Sequence, residues 1–166
     1  LSNRYTLIFS PKFNIFWAVF IGFFLTFNTF GKDITSWFSF EGDFSCSFIS
    51  FNNRVPSQES IVAISQCKLL AMSHNYLQYL YKKDPVWDKL GRLLIEDYYI
   101  RFRERLISFQ TLTATERYNE LLQRHPDIEN QVQLGYIASY LGIDIATLSR
   151  LRTRRKNRQL IPSKPS

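Results

Sequence analysis

Cysteine is nearly missing from this chain of 166 residues: Cys46 and Cys67 are its only two, and they form neither a C-x-x-C pair nor a Cys/His spacing suited to a metal. A secreted scaffold stapled by disulfides is thereby excluded, and a reducing, cytoplasmic setting is the expected one. Histidine is equally scarce. Neither His74 nor His125 has a Cys, Asp or His at ligand spacing, so no metal site is expected. The chain also lacks a glycine-rich phosphate loop and any Ser, His and Asp order with suitable neighbours, which argues against an enzyme. The one adjacent acidic pair of the central region, Glu96-Asp97, points two ways around a helix and suits solvent or Arg101 and Arg103 better than chemistry. Acid is in short supply overall. Asp and Glu number 14 against 21 Lys and Arg, a net charge of +7, which implies an acidic partner, either nucleic acid or a membrane surface.

What is present describes a folded chain. Hydrophobic residues at 45% and charged ones at 21% are globular values, and aromatics are abundant at 16%. The length suits one ordinary domain or two small ones sharing an element. From Arg101 to Arg158 there are eleven Lys or Arg and six Asp or Glu; Arg150, Arg152, Arg154, Arg155, Lys156 and Arg158 fall within nine positions free of acid. Such a run is either a solvated helix end, favourable to the helix dipole, or a phosphate-binding surface.

Phe13 to Gly31 carries no charge and holds seven of the 15 phenylalanines. That length admits a membrane-spanning helix. Asn14, Thr26, Asn28 and Thr29 weaken the membrane reading, and no small-residue cleavage site follows to make a secretory signal. The preferred reading is a pair of buried strands, broken near Gly22 and again at Asn28-Thr29-Phe30-Gly31. Ile34 to Phe40 reads as a strand, Glu41-Gly42-Asp43 as a turn, Phe44 to Phe51 as a further short element, and Ile61–Ile64 and Lys68–Met72 as two more strands. Arg54-Val55-Pro56-Ser57 is a loop, since proline lacks the ladder donor.

After Ser73, a candidate N-cap, the apolar period changes from two to nearly four. A short helix spans His74 to Lys83 and stops at Asp84-Pro85. A long one, Val86 to about Ser108, carries a stripe at i+4 or i+3 steps: Leu90, Leu94, Tyr98, Phe102, Leu106 and Phe109, widened by Leu93 and Ile100. A helix of this length needs a partner, and a two-fold dimer is favoured over packing within one monomer. Thr113-Ala114-Thr115-Glu116 is a capping box opening a helix from Ala114 to Arg124.

Gln133 to Arg152 has the spacing of a helix-turn-helix. Ala138 falls where two helices cross and only a small side chain fits, Gly142 can take the positive φ of the turn, and Asp144 is placed to cap the second helix. Ile137, Leu141, Ile143, Leu148 and Leu151 fix the angle between them. In DNA-binding versions the second helix enters the major groove. Its solvent side here offers Ile145, Ala146, Ser149, Arg150 and Thr153; the first four are the expected base readers, Arg150 foremost because a guanidinium can bond a guanine edge twice. Ser139, Thr147, Arg152, Arg154, Arg155 and Lys156 are the expected phosphate contacts, which position without specifying.

These stretches resemble a family. Gly31 to Thr35, Trp37 to Phe44, Ser50-Phe51, Pro56 to Ile61, Glu116-Arg117-Tyr118, Tyr136 to Ile143 and Thr147 to Arg150 are similar to Crp/Fnr-type transcription regulators of the kind common in Bacteroidetes. The resemblance covers about three quarters of the chain, its last stretches being the most specific. It implies an α+β fold in three parts: a cyclic-nucleotide-binding-like β-roll over 1–83, a long dimerisation helix over 84–110, and a helix-turn-helix, winged-helix-like domain over 111–158. A disordered tail over 159–166 is read from Pro162, Pro165 and the serines. Double-stranded DNA, a second copy of the chain and RNA polymerase are the implied partners, and a membrane is not.

The chain departs from the family pattern in several places. The roll is expected to lack its first strands, because the family's matching region would begin before Leu1. Gly22-Phe23-Phe24-Leu25 stands where the family carries Gly-x-x-Arg. In nucleotide-binding members an arginine pairs the cyclic phosphate and a Gly-Glu pair holds the ribose; the corresponding cassette here is Glu41, Gly42, Ser57 and Gln58, with Gln58 in the arginine's place and only Arg54 nearby. A buried phosphate would go unpaired there, so no cofactor is expected and cyclic AMP is disfavoured. Ala146 replaces a glutamate common in the family's reading helix, and little chain remains for a wing. The leading expectation is a dimeric, sequence-specific transcription regulator with a degenerate effector domain. The alternatives are a truncated interaction module that dimerises without binding DNA, and a membrane-tethered regulator.

Overall fold

The computed structural model describes the backbone of residues 5–8, 15–18, 23–29, 32–64 and 68–160, and side chains over 34–64 and 68–157. The chain divides into two compact units, Leu1–Ser108 and Phe109–Ser166.

The first unit carries two antiparallel sheets. One is ordered β1 (Tyr5–Ile8), β6 (Glu59–Ala63), β3 (Phe23–Thr29), β4 (Lys32–Ser39); the other is β5 (Phe44–Ser45), β2 (Ile15–Ala18), β7 (Leu69–Met72). The uncharged amino-terminal segment is therefore extended wherever it is described, as its aromatic and β-branched content favours. Its two strands join different sheets, and the expected break near Gly22 lies outside the described residues. Among the described residues, no helix is long and apolar enough to cross a membrane. At the second expected break Asn28 and Thr29 belong to β3, pairing with Asp33 and Lys32, while Phe30 and Gly31 lie outside the described residues; the register shift opposite Leu25/Thr26 leaves Ser36 as the extra residue, on the β4 arm.

At the Glu41-Gly42 turn, Gly42 has φ +82, a conformation open to glycine. The turn is closed by the Asp43 amide donating to the Phe40 carbonyl at 3.0 Å and the Phe40 amide donating to Asp43 Oδ2 at 2.9 Å. The short element expected after it is mostly a helix, α1 (Phe48–Asn53), which ends at Arg54 in the left-handed region. Phe38, Phe51, Ile61 and Ala63 are buried, with Ser39, Ser45, Ser47 and Ser50 buried beside them.

Helix α2 (His74–Lys83) is capped by the Ser73 hydroxyl, which accepts from the Tyr76 amide at 3.2 Å. Helix α3 (Pro85–Thr111) runs three residues further than its apolar period indicates. Asp84 begins it, accepting the Val86 amide at 2.9 Å, with proline at the first helical position where a missing amide costs nothing. Gly91 lets α2 approach: a Cβ there would stand 2.5 Å from the Tyr81 hydroxyl. Tyr98 stacks on Phe48 and meets Trp37 at a tilt, with centroid distances of 6.4 and 5.8 Å, and Arg101 reaches Asp43 at 3.1 Å. The acidic pair Glu96-Asp97 is spent on the helix's own arginines, Arg92 and Arg101, one turn away in each direction.

The second unit contains α4 (Ala114–Arg124), α5 (Ile128–Gln131), α6 (Leu134–Leu141) and α7 (Ile145–Leu160). The capping box forms as its residues require, the Glu116 amide donating to Thr113 Oγ1 at 3.3 Å and the Thr113 amide to Glu116 Oε2 at 2.7 Å. Tyr118, Leu121, Leu122, Ile128, Val132, Ile137, Ala138, Leu141, Leu148 and Leu151 make the core. Helix α7 covers two residues assigned in the sequence to a disordered tail; the remainder of that tail, 161–166, lies outside the described residues.

Candidate nucleic-acid interface

The geometry of the α6–α7 corner follows from three residues. Ala138, 1% exposed, sits at the crossing, and its carbonyl accepts the Ile143 amide at 3.0 Å. Gly142 ends α6 at φ +68, its amide donating to the Ser139 carbonyl at 3.0 Å. A Cβ on Gly142 would come within 2.9 Å of the Phe109 ring, so this position needs glycine for space as well as for backbone conformation. Asp144 then caps α7, its Oδ1 accepting the Thr147 amide at 2.6 Å and its Oδ2 the Thr147 hydroxyl at 3.0 Å. These bonds hold the Asp144 carboxyl below the usual carboxylate range, the amide bond being the larger cause.

Leu148, fully buried, and Leu151 fasten α7 to the unit. The opposite side is open: Ile145, Ala146, Ser149, Arg150, Thr153, Arg154 and Lys156 are all exposed. The expected base readers Ile145, Ala146, Ser149 and Arg150 therefore lie together on one outward face, and Arg154 and Lys156 continue it with positive charge.

Two expected phosphate contacts are placed otherwise. Arg152 turns inward, with Nε 2.7 Å from Glu129 Oε1, and the same carboxylate accepts the Tyr118 hydroxyl at 2.6 Å. Burial and that bond push the Tyr118 hydroxyl up to about 12. Leaving Glu129 unpaired in this half-buried place would cost more than an arginine gains in water, so Arg152 belongs to the scaffold. Thr147 gives its hydroxyl proton to Asp144 and acts as part of the cap. Arg155 is half-buried, as is Ser139 on α6.

Arg117 has a structural role that its place in the sequence did not reveal. Its Nη1 donates to the Leu112 carbonyl at 2.6 Å, while Nε and Nη2 donate to the Leu141 carbonyl at 3.3 and 3.1 Å; the guanidinium lies 4.8 Å from the Phe109 ring. One side chain thus satisfies carbonyls just past the end of α3 and at the end of α6.

The effector cassette lies in the first unit. Glu41 and Gly42 form an exposed turn, Gln58 and Arg54 are exposed, and the Ser57 hydroxyl is used locally, accepting the Glu59 amide at 2.9 Å and donating to the Glu59 carbonyl at 3.0 Å. Glu59 itself was not singled out in the sequence. Burial raises its carboxyl pKa, against a lowering hydrogen bond with Ser47. Burial and then the Glu59 charge push the Cys46 thiol up to about 12, and burial with the same charge raises Tyr98. Among the described residues, no cluster of His, Cys, Asp and Glu could hold a metal ion.

The long helix also differs from its expected stripe. Steps of four advance about 40° around a helix, so Leu90, Leu94, Tyr98, Phe102 and Leu106 drift from one side to the other. The first three are half-buried, Tyr98 against Trp37 and Phe48 of its own chain, whereas Phe102 and Leu106 stay exposed. The straighter exposed line is Val86, Leu93, Ile100 and Ile107, seven residues apart and each 47–57% exposed. No residue of α3 is fully buried.

No protein-family profile matches the chain, and no curated relative does. Solved structures do. FixK2 from Bradyrhizobium japonicum superposes with a TM-score of 0.73 at 12% identity, covering 100% of this chain and 90% of that one. A CooA variant from Carboxydothermus hydrogenoformans gives 0.70 at 16%, covering 98% and 79%, and a crp/fnr-family transcriptional regulator from Eubacterium rectale gives 0.69 at 13%, covering 98% and 82%. At such identities the likeness is one of fold alone, and the fold is the one these regulators share.

Proposed function

We propose that the chain is a dimeric, sequence-specific DNA-binding transcription regulator, with α7 as the reading helix and α3 as the dimer element. The observation that carries this reading is the division of α7 into two sides: Leu148, Leu151 and Arg152 fix it to the unit, and the outward side gathers the four expected base readers, Ile145, Ala146, Ser149 and Arg150, with the cations Arg154 and Lys156. Arg150 reads a guanine edge, and Arg154 and Lys156 meet phosphates. The dimer seam is the line Val86, Leu93, Ile100 and Ile107, whose spacing of seven is that of paired helices. A two-fold seam would set two copies of α7 for half-sites about 34 Å apart.

The effector domain does not take cyclic AMP on this reading. Gln58 offers no charge to a cyclic phosphate, and the neighbouring Glu59 carboxyl would add repulsion to the cost of burying an anion.

The experiment is a salt titration of binding to a random-sequence duplex pool, with the mass in solution recorded in parallel. A dimer that enriches one sequence and loses affinity steeply with salt supports the proposal. A dimer with no sequence preference overturns it and favours an interaction module built on α3.

A further inference from the structure

Past its exposed cap, Asp144, the first turn of α7 presents almost no polar side chain to a partner. Both Asp144 oxygens are taken by Thr147, which spends its hydroxyl proton in return. One turn on, the Thr153 hydroxyl donates to the Ser149 carbonyl at 3.1 Å and is likewise committed to the helix. What the opening turn shows outward is hydrocarbon. Ile145 is 57% exposed and Ala146 is exposed beside it. Ile145 is also supported from beneath: its Cδ1 lies over Gly135 of α6, 3.7 Å from where a Cβ would be. The side chain is thus braced on one side and open on the other.

The edges of the major groove differ in what they tolerate against such a surface. Guanine shows two acceptors, adenine an acceptor and an amino group, cytosine an amino group; each would be stripped of water and left unpaired against a methyl or ethyl group. Thymine alone adds an apolar group, its 5-methyl. The charge of Asp144 at the same end makes this turn ill-suited to phosphate, which leaves the base edges as its counterpart.

Resting on the DNA-reading proposal above, we infer that Ile145 and Ala146 are specificity-determining residues that select thymine by its 5-methyl group, in each half-site, next to the base pair read by Arg150. The preference is for a methyl group and not for a hydrogen-bond pattern, so it is separable from ordinary base readout.

The test begins with the duplex enriched from the random pool and replaces each thymine, one at a time, with deoxyuridine. This removes one methyl and leaves all Watson–Crick pairing and groove hydrogen-bond groups in place. At one or two positions per half-site the loss should be about four-fold per methyl, the value of one buried carbon. Ile145→Ala, and the milder Ile145→Val where the first impairs folding, should bind the thymine and uracil duplexes alike or nearly so, while keeping the wild-type response to changes at the base pair read by Arg150. Specific binding that is indifferent to every thymine-to-uracil change overturns this inference and leaves the regulator proposal standing. So does an enriched site with no thymine in its half-sites, or an Ile145→Ala protein that still loses four-fold. Absence of any enriched sequence removes both together.

Discussion

Ile100 and Leu94 lie less than two turns apart on α3, and a dimer through the exposed line assigns them opposite roles. Ile100 is 57% exposed in the single chain, while Leu94, one turn before Tyr98, is half-buried. Complete burial of such a side chain is worth about 1.5–3 kcal/mol, so covering the open part of Ile100 contributes about 1–1.5 kcal/mol. A two-fold interface counts every substitution twice. Ile100→Ala should therefore weaken the dimer by about 2–3 kcal/mol, roughly 30- to 150-fold in Kd, with little change in the unfolding of the monomer. Leu94→Ala should do the reverse, lowering stability by about 2 kcal/mol and leaving the dimer constant within a few-fold. Sedimentation velocity over a dilution series gives the first quantity and thermal unfolding at low concentration the second. Equal effects of the two substitutions on the dimer would refute the assignment and restore the i+4 stripe as the seam.

Other expectations follow from side chains whose partners are known. Arg154→Ala should weaken binding to all DNA sequences alike and lower the salt slope by about one, whereas Arg152→Ala should leave that slope unchanged and destabilise the second unit by releasing Glu129; parallel salt titrations and melts separate them. Arg117→Met keeps the aliphatic stem but removes the donors to Leu112 and Leu141, with an expected loss of about 2–4 kcal/mol in urea unfolding; a change below about 0.5 kcal/mol would show those carbonyls to be satisfied by water. Glu59 has a carboxyl pKa raised on folding, so its ionisation opposes the fold: stability is greatest where it is protonated in both states and falls as pH rises through its ordinary range and up to its folded value. Glu59→Gln should accordingly raise the thermal midpoint at pH 7 and lose that advantage by about pH 4. A gain independent of pH would trace the effect to packing.

The elements that sequence reasoning located best are those fixed by neighbours along the chain. Thr113 with Glu116, Ser73, and Asp144 with Thr147 each cap a helix through bonds spanning three residues, so the letters themselves carry the geometry. The Ala138 and Gly142 spacing is legible for the same reason, as it encodes one crossing and one turn. What sequence did not show depends on contacts distant in the chain. Arg152 reads as one more cation in a basic run until Glu129 is brought beside it by α5, a helix of one turn too short for any period to reveal. The two sides of α3 are both apolar, and only the contact of Trp37 and Phe48 with Tyr98 decides which is already occupied. Glu59 looks like an ordinary strand residue because its burial comes from elsewhere in the first unit.

A helix of 27 residues with no fully buried side chain has a consequence beyond architecture. Where pairing supplies the missing cover, abundance becomes an input: at low copy number the concentration of dimer, and with it the occupancy of any two-half-site operator it bound, rises with the square of the amount of chain made. A cell could then set a threshold by synthesis alone, without any small molecule entering the roll.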